Sequence, residues 1–524
     1  MTEAEVIIIG GGPVGVALAV ELGQRQISVV LVERHQAPQR IPKGQNLTQR
    51  SLEHFYFWGC VDQLRAKRLL PPDYPIGTVT TYQDLMSPYW YKSEGRGVVN
   101  PYYFQRNERL PQYYLEEVLR ERVRQLPTVT PLFGWTATAL IEEAQGVTAT
   151  IIQGDWPYEE RKVHAAYVVG CDGAHSFVRE HSGLKRRGPD FGQRMVLAVF
   201  RSQRLDDALT RFPPCTTYRV LKPELRGYWE FFGRVDAHRT WFFHAPVSRE
   251  AQESEIRGIL TRAAGFDCDF EFEHVGFWDL RVEVAQSYQA GRAFIAGDAA
   301  HSHPPYGGYG LNSGLDDAVN LGWKLEAVLR GWAPPQLLES YSIERQPVFE
   351  QTGQLIADGI EKDRDFLERY SPERDASAFE SAWQASQSHW VGPELYEPNY
   401  EHSPLVMGAS GASSAILSPH TFKARPGHHF PPQQLSSGRN IYEALGPGFT
   451  LVALGADAIQ IKSFEQAAQD LGIPLTVVRD TCDNGRQLYE TSLILVRPDR
   501  YIAWVHGKDP SSPKDVLARA TGRQ

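Results

Sequence analysis

The stretch Glu5-Val6-Ile7-Ile8-Ile9-Gly10-Gly11-Gly12-Pro13-Val14-Gly15 carries an apolar, β-branched run directly into the pattern G-x-G-x-x-G. In such a pattern the first glycine permits a tight turn, the second lets a pyrophosphate approach the backbone, and the third lets the next helix pack close to the strand. The start of that helix offers free N–H groups and positive potential to a phosphate. The predicted contacts of a dinucleotide are therefore Gly10, Gly12, Pro13, Val14 and Gly15.

A second strand is predicted at residues 28–32, after a helix at residues 16–24, and it ends at Glu33. A carboxylate about 20 residues beyond the glycines can accept both hydroxyls of an unphosphorylated ribose, and its neighbour Arg34 is assigned to the same site. The competing interpretations are a glycine-rich turn without a ligand and a secretory signal. The order of strand, glycines, helix, strand and acid argues against the first, and the acidic start with its interrupted apolar run argues against the second.

Two later segments have the same form, an apolar strand followed by an acidic glycine turn. They are residues 167–176, which contain Asp172, and residues 293–301, which contain Asp298. A glycine-rich loop at residues 304–312 and a helix at about 313–329 follow the second segment. Because parallel strands end at one edge of a sheet, all three turns are expected to meet one ligand.

Composition narrows the functional classes. The chain has 524 residues, of which 42% are hydrophobic and 22% charged, as in an ordinary soluble protein of two to four domains. A net charge of −9 argues against a nucleic-acid partner, and no apolar run approaches the roughly 18 residues of a membrane span. The five scattered cysteines include no C-x-x-C pair, so neither a disulfide framework nor a zinc or other metal site is expected. A cytoplasmic location is the expectation.

The chain divides into blocks of different character. Residues 76–107 and 185–285 are aromatic and β-rich, which predicts one sheet domain inserted into a nucleotide-binding domain made of residues 1–75, 108–184 and 286–370. The latter includes a helix at residues 340–363, with a break at Pro347. Residues 371–439, rich in Pro, Ser, Gly and His, predict a long connection. Residues 440–524 predict a small third α/β domain with strands at 449–454, 475–478, 492–496 and 501–505 and helices at 463–471 and 513–520.

The three motifs together resemble those of the single-component FAD-dependent aromatic hydroxylases. They are Gly10-x-Gly12-x-x-Gly15, Cys171-Asp172-Gly173 and Gly297-Asp298. More narrowly, His303-Pro304-Pro305 and residues 497–504 resemble the phenol hydroxylase and 2,4-dichlorophenol 6-monooxygenase branch. The resemblance is weak in residues 185–285. It implies an α/β fold like that of p-hydroxybenzoate hydroxylase, in which a Rossmann-like FAD-binding domain holds an inserted β-sheet substrate domain and a thioredoxin-like domain follows.

The resemblance assigns roles to single residues around a tightly but non-covalently bound FAD. Glu33 matches the acid on the adenosine ribose, and Asp298 the acid on the ribityl chain. Gln112 matches a glutamine near the phosphates and the flavin, and Asp172 an acid that shapes the approach of NAD(P)H. The remaining matches concern the flavin and substrate: Pro305 beside the substrate hydroxyl, and the backbone of Gly310, Leu311 and Asn312 at the pyrimidine edge.

Two positions depart from the pattern. Lys43, assigned to the cofactor site, stands where many relatives carry Arg, and an ammonium cannot copy a bidentate guanidinium. His175 replaces the commoner Arg after Asp-Gly-Ala. Both changes concern the pyridine nucleotide, so the choice between NADH and NADPH stays open.

The family's chemistry implies a substrate base. In that family flavin reduced by NADH or NADPH traps oxygen as a C4a-hydroperoxide, which hydroxylates a small phenolic or related aromatic substrate. A phenolate is the better nucleophile, so a base or acceptor is expected near the substrate hydroxyl. His303, beside the proline pair, is the first candidate. Tyr228, Tyr218 and His244 are further candidates, for which simple packing in a strand is the competing interpretation.

Alternative functions remain. A flavoenzyme of this fold could instead perform Baeyer–Villiger insertion or epoxidation on a polycyclic aromatic, and a non-catalytic flavin-binding redox sensor is an alternative of another class. The tail lacks C-x-x-C and is expected to be redox-inert. Its apolar last strands favour docking on another domain or on a second copy of the chain, as in a homodimer.

Overall fold

A computed structural model describes residues 2–154, 159–507 and 511–523. The helices are α1 Pro13–Gln24, α2 Gln49–Phe57, α3 Val61–Arg65, α4 Gln112–Arg124, α5 Phe177–His181, α6 Gln203–Ala208, α7 Glu253–Ala264, α8 Tyr309–Leu329, α9 Glu339–Arg369, α10 Ala376–Ala385, α11 Ala458–Leu471 and α12 Pro513–Ala520. The strands are β1 Thr2–Ile9, β2 Val29–Glu33, β3 Asn46–Leu47, β4 Thr78–Tyr82, β5 Trp90–Ser93, β6 Glu108–Arg109, β7 Val129–Phe133, β8 Trp135–Glu143, β9 Gly146–Gln153, β10 Glu159–Gly170, β11 Arg186–Arg187, β12 Asp190–Arg201, β13 Thr217–Leu221, β14 Glu230–Arg234, β15 Thr240–Val247, β16 Glu271–Arg281, β17 Glu283–Ala285, β18 Gln289–Ala290, β19 Ala293–Ile295, β20 His301–Ser302, β21 Phe449–Leu454, β22 Leu475–Asp480, β23 Leu493–Val496 and β24 Ile502–Val505.

The central sheet has the strand order β18-β19-β10-β1-β2-β7, and β8 and β9 extend it as a hairpin beside β10. The apolar runs of β1 and β2 are buried because both faces of this sheet are covered. β1 pairs in parallel with β2 and β10, so that Ile9 lies opposite both Val32 and Gly170. Gly170 in turn lies opposite Ile295 of β19. The turns after β1, β10 and β19 therefore leave the sheet at one edge.

A second sheet has the order β16-β12-β15-β14-β13-β4-β5. Its strands come only from residues 78–93 and 190–281. One face packs against α7 in a core that contains Phe232 and Phe243. The other face is turned toward the central sheet. The division of the chain into domains remains a prediction, but the inserted strands do form one sheet.

The C-terminal strands form a third sheet in the order β22-β21-β23-β24. β21 pairs in parallel with β22 and antiparallel with β23, while α11 and α12 pack in the same apolar core. This core reaches α8 through Trp323 and the turn after α8 through Trp332, and both indoles contact Phe449. The predicted α/β fold class is confirmed. No helix of the described ranges combines the length and the apolarity required to cross a bilayer.

The structure corrects several predicted helices. α1 begins at Pro13 rather than at residue 16, and α11 begins at Ala458 rather than at residue 463. α8 begins at Tyr309 rather than near residue 313, because Gly307 and Gly308 adopt left-handed φ angles of 75° and 68° that complete the turn. The predicted break at Pro347 is wrong, since α9 runs through this residue. Proline removes the bond to the carbonyl four residues earlier, and that carbonyl, of Ile343, instead accepts a hydrogen bond from the His402 ring at 2.9 Å.

Candidate active site

A cavity of about 1620 Å³ runs from the edge where the central strands end to the inner face of the second sheet. Most ligand pockets have volumes of about 300–1,000 Å³, so this space can take a dinucleotide together with a second molecule. Most of the residues predicted to bind the cofactor line this cavity, whereas Gly15 and Asn312 do not belong to its lining.

The glycine turn forms one end of the cavity. Gly10 has a φ of 101°, and a Cβ there would lie 2.4 Å from the carbonyl oxygen of Cys171. A Cβ at Gly15 would lie 1.9 Å from the carbonyl oxygen of Gly10. In contrast, a Cβ at Gly12 would meet no protein atom within 4 Å. Two glycines are thus required by the protein itself, and the third leaves room for a ligand at the start of α1.

Glu33 lies beside this turn with its carboxylate fixed by backbone groups. The N–H of Gly11 donates to Oε2 at 2.7 Å, and the N–H of His35 donates to Oε1 at 2.7 Å. Each oxygen keeps a further lone pair for a ribose hydroxyl. Arg34 and Lys43 also line the cavity.

Asp298 is an acidic group that remains available to a ligand. Surrounding protein raises the pKa of its carboxyl, yet the side chain stays exposed to the cavity. Within the described residues its carboxylate has no hydrogen-bond donor. The turn that carries it is held by Asp317, which accepts from the N–H of Gly297 at 3.0 Å and contacts His301 at 2.6 Å. Asp317 therefore fixes the turn, and the carboxylate of Asp298 remains free to accept hydrogen bonds from a ligand.

Asp172 and Gln112 line the same part of the cavity. Asp172 accepts from the Ser176 hydroxyl at 2.5 Å and from the N–H of Val178 at 3.1 Å, so much of its hydrogen-bonding capacity is used at the start of α5. Burial raises the pKa of Asp172. Gln112 donates to Glu116 at 2.9 Å. His175, one of the two departures from the family pattern, lines the cavity as well.

The loop before α8 occupies the middle of the cavity. Pro305, Gly310 and Leu311 line it. Asn312 is absent from the lining. Its side chain accepts from the Thr48 N–H at 2.9 Å and donates to the carbonyl oxygen of Gly308 at 2.7 Å. The side chain of Asn312 therefore fixes the loop, and any cofactor contact at this position falls to the backbone.

His303 packs behind the same loop, with its ring stacked on Phe349 at 4.8 Å and 18°. Nδ1 lies 2.6 Å from the carbonyl oxygen of Pro304, so this nitrogen carries the proton. Nε2 is left with a lone pair and is buried without a partner in the described part of the chain. Burial lowers the pKa of His303 to about 4, which keeps the ring neutral.

The second sheet supplies an aromatic wall. Side chains of alternate residues point into the cavity, and Trp229 before β14 stacks on Tyr306 at 4.2 Å and 25°. The wall also includes Phe231, Phe242, His244 and Trp278. Of these aromatic groups, sequence reasoning proposed only His244 as functional, although Tyr306 directly follows the Pro-Pro motif and was open to the same inference.

The structure separates the four candidate bases. His303 and His244 line the cavity, whereas Tyr218 lies in the core on the opposite face of the sheet. The Trp278 indole N–H donates to Nδ1 of His244 at 3.3 Å, and burial lowers the pKa of His244 to about 3, so this ring is a poor base. Tyr228 is half-buried and does not belong to the described lining. His303 is the candidate that keeps a free acceptor.

Comparison with known proteins gives matches over most of the chain. Residues 3–355 match the family described as FAD binding domain, and residues 423–524 match the aromatic-ring hydroxylase C-terminal family. The FAD-dependent monooxygenase apdD of Emericella nidulans is 29% identical over 100% of this chain and 91% of its own length. The 4-methyl-5-nitrocatechol 5-monooxygenase of a Burkholderia species is 28% identical over 99% of this chain and 97% of its own.

A solved structure of the rebeccamycin biosynthetic enzyme RebC with reduced flavin is similar along its whole length. The TM-score is 0.85 at 27% identity, and the match covers 100% of both chains. The predicted family and the predicted cofactor, FAD, are thereby confirmed. The chain belongs to the FAD-binding domain family and is an FAD-dependent monooxygenase of the aromatic-ring hydroxylase class.

Proposed function

We propose that the protein uses FAD, NADH or NADPH, and molecular oxygen to hydroxylate a phenolic or related aromatic compound. The observation that carries this proposal is the single cavity in which the glycine cradle, the Pro305 loop and the aromatic wall meet. An aromatic ring held on that wall lies next to the loop that, by family resemblance, faces the flavin. The nitrocatechol monooxygenase, a relative along nearly the whole chain, acts by name on a phenol.

The residues present fit the cofactor. When bound, FAD supplies two-electron transfer from the pyridine nucleotide and the activation of oxygen. Gly12 and Glu33 are placed for its adenosine and phosphate half, and Asp298 for its ribityl chain. The first N–H groups of α8 have no intrahelical partner, and no acidic side chain lies in that turn. This helix start is suited to stabilise negative charge on a reduced cofactor.

His303 is the proposed acceptor for the substrate hydroxyl. Its Nε2 holds a lone pair, and because its pKa is lowered from 6.5 to about 4, the ring stays neutral through the physiological range. It can then accept a hydrogen bond from a phenol that reaches Nε2, which is buried without a partner in the described residues. The aromatic wall excludes water from the same region.

The proposal is tested with a panel of phenols, hydroxybenzoates and hydroxypyridines. We expect some members to stimulate NAD(P)H oxidation and to yield a product with one oxygen atom from labelled O2. Stimulated oxidation that gives only lactones or epoxides, or only peroxide with every member, contradicts aromatic hydroxylation. Stopped-flow reduction of the flavin by NAD(P)H in the absence of oxygen gives a further test. Comparing the rates with and without a panel member that the protein hydroxylates shows whether the substrate controls flavin reduction.

His303→Ala tests the acceptor. We expect kcat/KM to fall by up to about 10-fold while FAD content is retained, because a neutral hydrogen bond contributes about 0.5–1.5 kcal/mol. His181→Gln, on an exposed ring that contacts the carbonyl oxygen of Phe177, is the matched control. From pH 5 to 8 the wild-type profile should lack an inflection due to His303, whose ionisation lies below this range. Unchanged turnover in His303→Ala excludes the role.

A further inference from the structure

Arg109 is a buried cation in the cavity that no carboxylate neutralises. Its side chain lines the cavity, and the residue is 5% exposed. Across residues 2–154, 159–507 and 511–523, no Asp or Glu lies within 4.0 Å of its guanidinium. The charged neighbour that affects its pKa is Arg234, whose guanidinium is itself paired with Asp206 at 2.5 Å. Burial lowers the pKa of Arg109 to about 10, which leaves it charged at neutral pH.

Part of the guanidinium is committed to the protein. Nε and Nη2 donate to the carbonyl oxygen of Arg234 at 3.4 and 3.1 Å, and Nη1 donates to Asn46 Oδ1 at 2.5 Å. A guanidinium has five N–H groups, so these three bonds leave one on each terminal nitrogen. The free N–H groups on the two terminal nitrogens can donate to the oxygens of a carboxylate.

The free N–H groups of Arg109 lie in the part of the cavity that the aromatic wall lines. The centre of the guanidinium lies 5.8 Å from the ring of Phe242 on the aromatic wall. The carbonyl that holds it belongs to Arg234, at the end of β14 in the same sheet. On the other side, Asn46 connects it to the loop at Gly308, where a Cβ would lie 3.3 Å from that of Asn46. Arg109 thus lies between the wall and the Pro305 loop.

A buried cation without a partner is costly to retain. Proteins keep such a group where a ligand supplies the opposite charge. Arg219, on the rim of the aromatic wall, is paired with Asp363 at 3.2 Å. Lys92 and Arg96 also line the cavity, but Lys92 is exposed to solvent, and Arg96 donates to the carbonyl oxygen of Gly307 at 2.9 Å and lies 4.8 Å from the Tyr309 ring. Arg109 is therefore a buried cation beside this wall that no carboxylate of the described residues neutralises.

We propose that Arg109 determines substrate specificity by binding an acidic group, a carboxylate or equivalent anionic oxygen pair, on the aromatic substrate. This inference rests on the proposed function, since it places the substrate on the aromatic wall. The substrate class is then an aromatic acid whose ring lies on the wall and whose anionic group reaches Arg109.

Matched acid and amide ligands test the proposal without turnover. The probes are benzoate with benzamide, salicylate with salicylamide, and 4-hydroxybenzoate with 4-hydroxybenzamide, titrated into FAD-loaded protein and followed by the flavin absorbance. We expect at least one acid to bind more tightly than its amide. Arg109→Met should lower the affinity for that acid by about 10- to 100-fold, because a hydrogen bond to a charged group is lost, and should leave the affinity for the amide unchanged. Arg109→Lys keeps the charge, so its affinity for the acid should lie between those of the wild type and Arg109→Met.

The control variant changes a cation of the same sheet that does not line the cavity. Arg201→Gln removes a half-exposed cation, paired with Glu273, from the same sheet and should change neither affinity. Equal loss of acid and amide in Arg109→Met, or no acid bound by about 10 mM, overturns the proposal. If Arg109→Met changes the FAD affinity or the flavin midpoint potential but keeps the preference for the acid, Arg109 serves the cofactor. That result also overturns the proposal. If acids bind through Arg109 but yield no hydroxylated product, the proposed function fails and the anion site stands.

Discussion

Two aspartates within one short segment of the fold show how surroundings divide the roles of identical side chains. Asp317 is fully buried, and contacts with His301 and Arg345 lower its pKa to about 2 although burial alone would raise it. Its charge holds the backbone at Gly297. Asp298 has no such partner in the described residues, and burial raises its pKa. One carboxylate therefore serves the protein, and the other faces the cavity.

Asp298→Ala should weaken FAD binding by about 10- to 100-fold, because a charged acceptor of a ligand hydroxyl contributes about 1.5–3 kcal/mol. Titration of the apoprotein with FAD, followed by fluorescence, measures the change. Asp358→Asn, on the exposed face of α9, is the matched control, since its carboxylate contacts only Gln354 in the described structure. A variant that binds FAD as tightly as the wild type would remove Asp298 from the cofactor site.

At the scale of single elements, β14 places neighbouring phenylalanines on opposite faces of one sheet. Phe231 stacks on His244 at 4.9 Å and 24° on the cavity side. Phe232 packs against Phe243 at 4.6 Å in the core on the other side. The period of two along a strand produces this division. The two residues offer a test of function against stability within a single strand.

Phe232→Leu should lower the free energy of unfolding by about 1–2 kcal/mol and leave ligand affinity unchanged, because it removes buried volume from the core alone. Phe231→Leu should weaken aromatic ligands several-fold with a smaller loss of stability. Urea unfolding and ligand titration of both variants separate the effects. Equal effects of the two variants on ligand affinity would show that the cavity face does not select the ligand.

The same sheet shows what the sequence could not predict. The positions of the glycine cradle, Glu33 and Asp298 at the cavity were predictable, because each follows a strand of the parallel sheet and such strands end at one edge. The wall was not, since both faces of β14 and β15 are buried and the strands therefore lack polar alternation. Arg109 was missed because its lack of a partner depends on distant residues such as Arg234 and Asn46. The helix break at Pro347 was wrong because His402, 55 residues later, supplies the missing bond.

On the scale of the whole molecule, a buried ionic network joins the C-terminal sheet to the cofactor domain. Arg497 binds Glu344 of α9 at 2.6 and 2.8 Å, and Glu344 also accepts from Lys324 of α8 at 2.7 Å. Asp499 accepts from the Trp323 indole at 3.2 Å. α8 begins at the loop that lines the middle of the cavity. The C-terminal sheet is therefore connected through α8 to the loop that lines the middle of the cavity.

This connection predicts that the tail acts through structure and takes no part in electron transfer. Its cysteine, Cys482, is exposed, and all five cysteines of the chain are free. A dithiol couple requires a second thiol, so Cys482→Ser should leave coupled turnover unchanged. Arg497→Met should instead cost about 3–5 kcal/mol of stability, because it leaves Glu344 with one cation fewer in a dry interface. Thermal unfolding with and without FAD measures this loss, and we expect FAD affinity to fall with it because α8 carries the loop. A large loss of hydroxylation in Cys482→Ser, with the fold and FAD content intact, would place the tail in the chemistry and contradict this account.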